Sequence, residues 1–119
     1  LFFDFYIEGF LLIEYDGLQH FEPVDFAGRG IEWATEMFNR TKMSDCIKNQ
    51  YCIENGIPLL RIPYWEYDNV DHILRSALTY FDIEDTEINY YEPAPLFSID
   101  KFIVSEDWQA LSLAREEVL

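Results

Sequence analysis

The chain opens with two β-prone runs separated by a turn. "LFFDFYI" (1–7) and "FLLIEY" (10–15) flank Glu8-Gly9, a pairing that predicts a tight hairpin. In the second run Leu12, Glu14 and Asp16 alternate, so a strand there puts Glu14 and Asp16 on one face at its end. Asp4 is the only acid of the first run and sits between Phe3 and Phe5. A carboxylate in so apolar a setting is costly unless it is paired or holds a cation.

Beyond Asp16 the pattern breaks into a loop over 19–30. Ile31, Ala34 and Phe38 then carry the spacing of a short helix over 31–38. Ser44 reads as the N-cap of a second helix over 45–54, which Asn55-Gly56 ends. Leu59 to Ile62 reads as a short buried strand between Pro58 and Pro63. Ile73, Leu74, Ala77, Leu78 and Phe81 form the apolar stripe of a helix over 70–81, capped by Asp68 or Asn69. A Pro-containing extended segment (92–95), a strand over 101–104 and a helix capped by Ser105 complete the prediction. The order of elements is that of an α/β domain, with no internal repeat.

Composition supports a packed core: of 119 residues half are apolar, with eight Tyr, ten Phe and three Trp. The formal charge of −15 is uneven. Residues 1–81 hold 13 Asp/Glu and 6 Lys/Arg, and residues 82–119 hold 10 and 2, so −7 and −8 respectively. This divides the chain into a core (1–81) and an acidic C-terminal extension (82–119) packed on it, with Tyr90, Tyr91 and Trp108 as docking aromatics. Cys46 and Cys52 are six apart, a spacing that suits neither a CxxC pair nor a four-ligand zinc set, and they read as free structural thiols of an intracellular protein. No run approaches a membrane span. The chain starts without Met inside a predicted strand, as a piece of a longer protein would.

Asp4, Glu14 and Asp16 are hard oxygen donors of the kind that hold Mg²⁺ or Mn²⁺, and His20 has the chemistry of a general base. The same residues also read as solvated strand-end carboxylates, an Asp16-Gly17 turn and a loop histidine. "PYWEY" (63–67), which follows the buried strand, reads as core and helix packing in preference to base stacking.

Taken in order, "DFYI…LLIEYDGLQHF…SDCIKNQYCIENGIPLLRIPYWE" resembles the PD-(D/E)XK, restriction-endonuclease-like nuclease superfamily, and within it the branch of very-short-patch-repair and phage homing endonucleases. The resemblance covers about residues 2–78. It implies a mixed β-sheet flanked by helices and a metal-dependent DNA endonuclease. Asp4, Glu14 and Asp16 would stand at the metal positions, His20 would be the general base, and Asp45 would orient it. Lys48, one turn after Asp45, would supply the positive charge. The family's additional Glu-bearing helix precedes the first strand and would lie ahead of this chain, as would further DNA contacts. A homodimer or larger assembly is compatible with that reading. The alternative is a catalytically weak nuclease-like domain that serves as a protein-interaction module.

Overall fold

The computed structural model describes residues 2–7, 9, 11–81 and 98–106. The elements within them are β1 (Phe5–Ile7), β2 (Leu11–Asp16), α1 (Ile31–Asn55), β3 (Leu59–Pro63) and α2 (Val70–Tyr80), with 3₁₀ turns at Leu18–His20, Tyr64–Asn69 and Asp100–Phe102. The extended segment over 92–95, the body of the last predicted helix, and Tyr90, Tyr91 and Trp108 lie outside the described residues.

The sheet has three strands in the order β1-β2-β3, with β1 antiparallel and β3 parallel to β2. A parallel neighbour needs a crossover, and α1 provides it. The domain is therefore a mixed α/β fold in which the central strand is covered on both sides. Apart from half-buried Tyr15, every residue of β2 is buried, as expected of a strand with a helix over each face.

The two faces differ in chemistry because side chains alternate along β2 and β3. Leu11, Ile13, Leu60 and Ile62 pack with Ile73, Ala77 and Leu78 of α2 in the apolar core. Leu12 and Leu59 meet Cys52 of α1 on the opposite side, in a much smaller cluster. The rest of that second face carries Glu14, Asp16 and Arg61, each at most 5% exposed. Ile99 and Phe102 join the α2-side core from the C-terminal region. No helix among the described residues is long and apolar enough to cross a membrane.

Several elements depart from the pattern-based expectation. The ladder of the first strand starts at Phe5, not at the chain's beginning, because the Asp4 carboxylate accepts the Tyr15 amide at 2.8 Å. A short polar side chain here replaces a backbone partner. Asp4, Phe5 and Tyr6 are exposed, so Asp4 does not lie in an apolar interior. Pairing closes at Ile7 and Leu11, with Gly9 in the left-handed region at φ 79°.

The two helices expected over 31–38 and 45–54 are one helix of 25 residues. Residues 39–44 contain no Gly or Pro, and a serine inside a helix costs only a few tenths of a kcal/mol, too little to break one held by tertiary contacts. Ser44 is thus a mid-helix residue and not a cap. The helix starts after Gly30, where Asp25 accepts the Arg29 and Gly30 amides at 2.8 Å each. It stops as expected at Gly56, left-handed at φ 64°, with the Ile57 amide returning to Cys52 O at 2.9 Å. Asn69 takes the N-cap position of α2 but makes no side-chain cap bond. It donates instead to Glu66 at 2.9 Å.

The strand expected over 101–104 is a 3₁₀ turn followed by a single bridge, Leu60 to Ile103, and a Val104 amide bond to Leu59 O at 2.9 Å. Burying Phe102 in the core curls the backbone before it can extend along β3.

The continuity of α1 has a signed test. An N-capping Ser44 would lose about 1 kcal/mol on replacement by Ala. In the middle of the helix Ser44→Ala is expected to stabilise by roughly 0.5 kcal/mol through propensity, read by urea unfolding.

Candidate functional site

The polar face of β2 and β3 meets α1, and the residues singled out in the sequence gather there in two neighbouring groups. Two positions along a strand span about 7 Å, which sets the spacing of Glu14 and Asp16 and hence of the groups built on them.

The first group holds Asp4, Glu14 and Lys48. Lys48 Nζ donates to Glu14 Oε1 at 2.8 Å, and the ammonium lies 5.5 Å from the centre of the Phe3 ring. Burial raises the Glu14 pKa above its ordinary value. The hydrogen bond and charge of Lys48 oppose the rise, and the Asp4 carboxyl, in hydrogen-bond contact with Glu14, adds to it. Two carboxyls in contact, one of them buried, make a site that gains from a shared proton or a cation.

The second group is organised by Arg61. Its position on β3 is in register with Glu14 of β2, yet its guanidinium reaches further along the strand. Nη1 donates to both oxygens of Asp16 at 2.8 and 3.1 Å, Nε donates to Asn49 Oδ1 at 2.7 Å, and Nη2 reaches Asp45 Oδ1 at 3.4 Å. The other oxygen of Asp45 lies 2.8 Å from His20 Nδ1. His20 is brought into place by the 3₁₀ turn after β2, where its amide bonds Gly17 O at 3.0 Å. Asp16 Oδ1 also lies 3.7 Å from Nδ1.

These contacts tune the charges. Burial raises the Asp16 pKa, with Arg61 and His20 opposing the rise and Asp45 assisting it. For His20, burial favours the neutral ring, but the hydrogen bond and charge of Asp45 and the charge of Asp16 outweigh burial and the repulsion of Arg61. The net shift is upward. With Nδ1 bound to Asp45 as a donor, Nε2 is the basic nitrogen. Cys46 and Cys52 form no disulfide, and burial raises the Cys52 thiol pKa.

The structure thus joins His20 to Asp45, the contact expected of those two residues, sets Asp4 beside Glu14, and pairs Lys48 with Glu14, a partner the sequence reading had not named. Asp16, expected among the metal carboxylates, has both oxygens engaged by Arg61. Among the described residues no group of three or more His, Cys, Asp or Glu is arranged to hold a metal ion. Asp4 and Glu14 offer two hard oxygen donors, which suits an ion such as Mg²⁺ that takes one or two carboxylates and fills its remaining positions with water and phosphate oxygens.

Arg61 and Asn49 escaped the sequence reading. The signal for Arg61 was present: a lone cation inside "LLRI" needs a buried anion, and the neighbouring strand ends in Asp16. Asn49, one turn beyond Asp45 on α1, carried no comparable signal. The aromatic segment after β3 also corrects expectation. Tyr64, Trp65 and Tyr67 are exposed rather than packed in the core, and Trp65 lies 4.7 Å from Phe21, the residue after His20. The apolar faces of β3 and α2 are already filled by each other, which leaves these rings at the surface.

Fold and site together define a small mixed α/β domain with a buried charged network between its sheet and its long helix. Neither a protein-family model, nor a curated protein, nor a solved structure matches the chain.

Two outcomes follow from the network. Arg61→Met strands buried Asp16 and is expected to cost about 3–5 kcal/mol in urea unfolding. Adding Asp16→Asn to that variant should return part of the loss, because the stranded charge goes with it. The raised pKa of His20 means that the folded state binds its proton more tightly than the unfolded chain, whose value is 6.5. Its contribution to stability is full below that value and is lost as pH rises through the folded pKa. The stability difference between wild type and His20→Asn should therefore shrink as pH rises through that window. A flat difference would contradict the Asp45–His20 coupling.

Proposed function

We propose that this domain is a divalent-metal-dependent DNA endonuclease with a restriction-endonuclease-like core, of the kind found in phage homing or mobile elements. The observation that carries the reading is the 2.8 Å pair of His20 and Asp45, made between the turn after the central strand and the middle of α1, beside the Asp4–Glu14–Lys48 group. That is the order in which the resembling nucleases use these residue types.

In this reading Asp4 and Glu14 hold Mg²⁺ or Mn²⁺. A bound ion would supply Lewis-acid polarisation of a phosphoryl oxygen and a lowered pKa for water. Asp45 accepts the Nδ1 proton and keeps the ring oriented. His20 Nε2 then takes a proton from the attacking water. Lys48 balances the two carboxylates, and Arg61 holds Asp16 and Asp45 in place.

One observation favours the second reading, a nuclease-like domain that makes protein contacts. At least four of the six cations of the core, Arg40, Lys48, Arg61 and Arg75 among them, are ion-paired with carboxylates of their own chain. That leaves little charge for counterion release on DNA.

Nicking of supercoiled plasmid by the chain, assayed separately in Mg²⁺ and in Mn²⁺, decides between them. The endonuclease reading expects cleavage that is retained by Ser44→Ala and lost, by about a hundredfold or more, in Asp4→Ala and His20→Ala. The rate should climb as pH rises through the elevated His20 pKa, since only the neutral ring accepts a proton. Folded protein that cleaves with neither ion would leave the protein-contact reading.

A further inference from the structure

Helix α1 turns one side to the sheet and the other to solvent, and the solvent side is not uniformly polar. Met43, Ile47 and Tyr51 are 68%, 51% and 43% exposed. At four-residue spacing they lie on adjoining turns and form a continuous apolar stripe. Arg40 and Glu54 extend the stripe in either direction, each seven residues from Ile47 and so on nearly the same face, about 10 Å along the axis.

This stripe is self-complementary when reversed. About Ile47, Met43 is the counterpart of Tyr51, exposed Ser44 of exposed Gln50, and Arg40 of Glu54. A second copy of the helix laid antiparallel across the first would set Ile47 against Ile47, each Met43 against the other copy's Tyr51, and each Arg40 against the other copy's Glu54. A two-fold interface demands this relation, since whatever touches position j from position i must also be touched by i from j. An unrelated partner would require no complementarity within the stripe itself. The local ion pair of Arg40 with Glu36 at 3.0 Å and the Gln50–Glu54 bond at 2.8 Å are exposed and cheap to rearrange.

We propose that the chain forms a two-fold homodimer through the exposed face of α1, centred on Ile47, with Met43 and Tyr51 as apolar contacts and reciprocal Arg40–Glu54 ion pairs at the rim. This holds independently of the nuclease reading, because none of these side chains belongs to the Arg61 or Glu14 groups. The charge of −15 opposes association of two copies. The contact is a few helical turns long, at the small end of specific interfaces, so the dimer is expected in the micromolar range.

The test is sedimentation equilibrium of the full chain across that range at about 0.15 M salt, which screens the net charge, with circular dichroism confirming that each variant is helical. Wild type should dimerise. R40E and E54R should each raise the dissociation constant about tenfold or more, because each sets like charges together twice. An equimolar mixture of R40E and E54R should then recover association, since both rim pairs of the heterodimer are again of opposite sign. The same recovery shows that the variants are folded. Ile47→Glu should abolish association. A monomeric wild type, or a dimer indifferent to R40E and E54R, overturns the proposal. A monomer that Ile47→Glu unfolds more readily also overturns it, by assigning the stripe to a segment of the same chain.

Discussion

A guanidinium buried between sheet and helix is the constraint around which this domain is arranged. Arg61 is 3% exposed, and a charge there is tolerable only when its donors are met. Asp16 from the central strand and Asn49 and Asp45 from α1 meet them. This fixes which face of β3 looks at α1, and the alternation of the strand then sends Leu60 and Ile62 to α2. The polar and apolar halves of the interior are two results of one register, because a slip by one residue would exchange them.

Such a network is an expensive way to fill space. Well-packed apolar residues often stabilise as much as a buried ion pair or more, and the α2 side of the same sheet shows that this chain can build such a core. The polar side instead holds a histidine, its carboxylate partner and two further carboxylates in set positions. That expenditure, made within one three-stranded sheet, is what gives the site its weight as a candidate for chemistry.

Legibility in the sequence followed the strength of the local signal. The central strand, the buried strand at 59–62, the stripe of α2 and the Gly56 stop were readable because periodicity and a left-handed glycine act within a few residues. The joining of two helices into one was not, since Ser44 carries the chemistry of a cap while nothing in residues 39–44 breaks the helix. That the singled-out residues of β2, the following turn and α1 lie near one another was readable, down to the His20–Asp45 contact, but Asp16 meets Arg61 and not the Asp4–Glu14 pair. Their organiser was not, because the partners of Arg61 lie 12 to 45 residues away. The exposure of Tyr64 and Trp65 was missed for a related reason: composition marks an aromatic as core material but does not reveal that the core is already full.

The length of α1 gives the site a further property. Asp45, Lys48 and Asn49 lie within little more than one turn of one unbroken helix and reach three different partners, His20, Glu14 and Arg61. Sliding the helix by one residue would move it about 1.5 Å along its axis and turn it about 100°, breaking all three contacts together. The contacts therefore work as the teeth of a single key: the helix either sits in its one notch or engages none of them, and the groups around His20 are set or released as a unit.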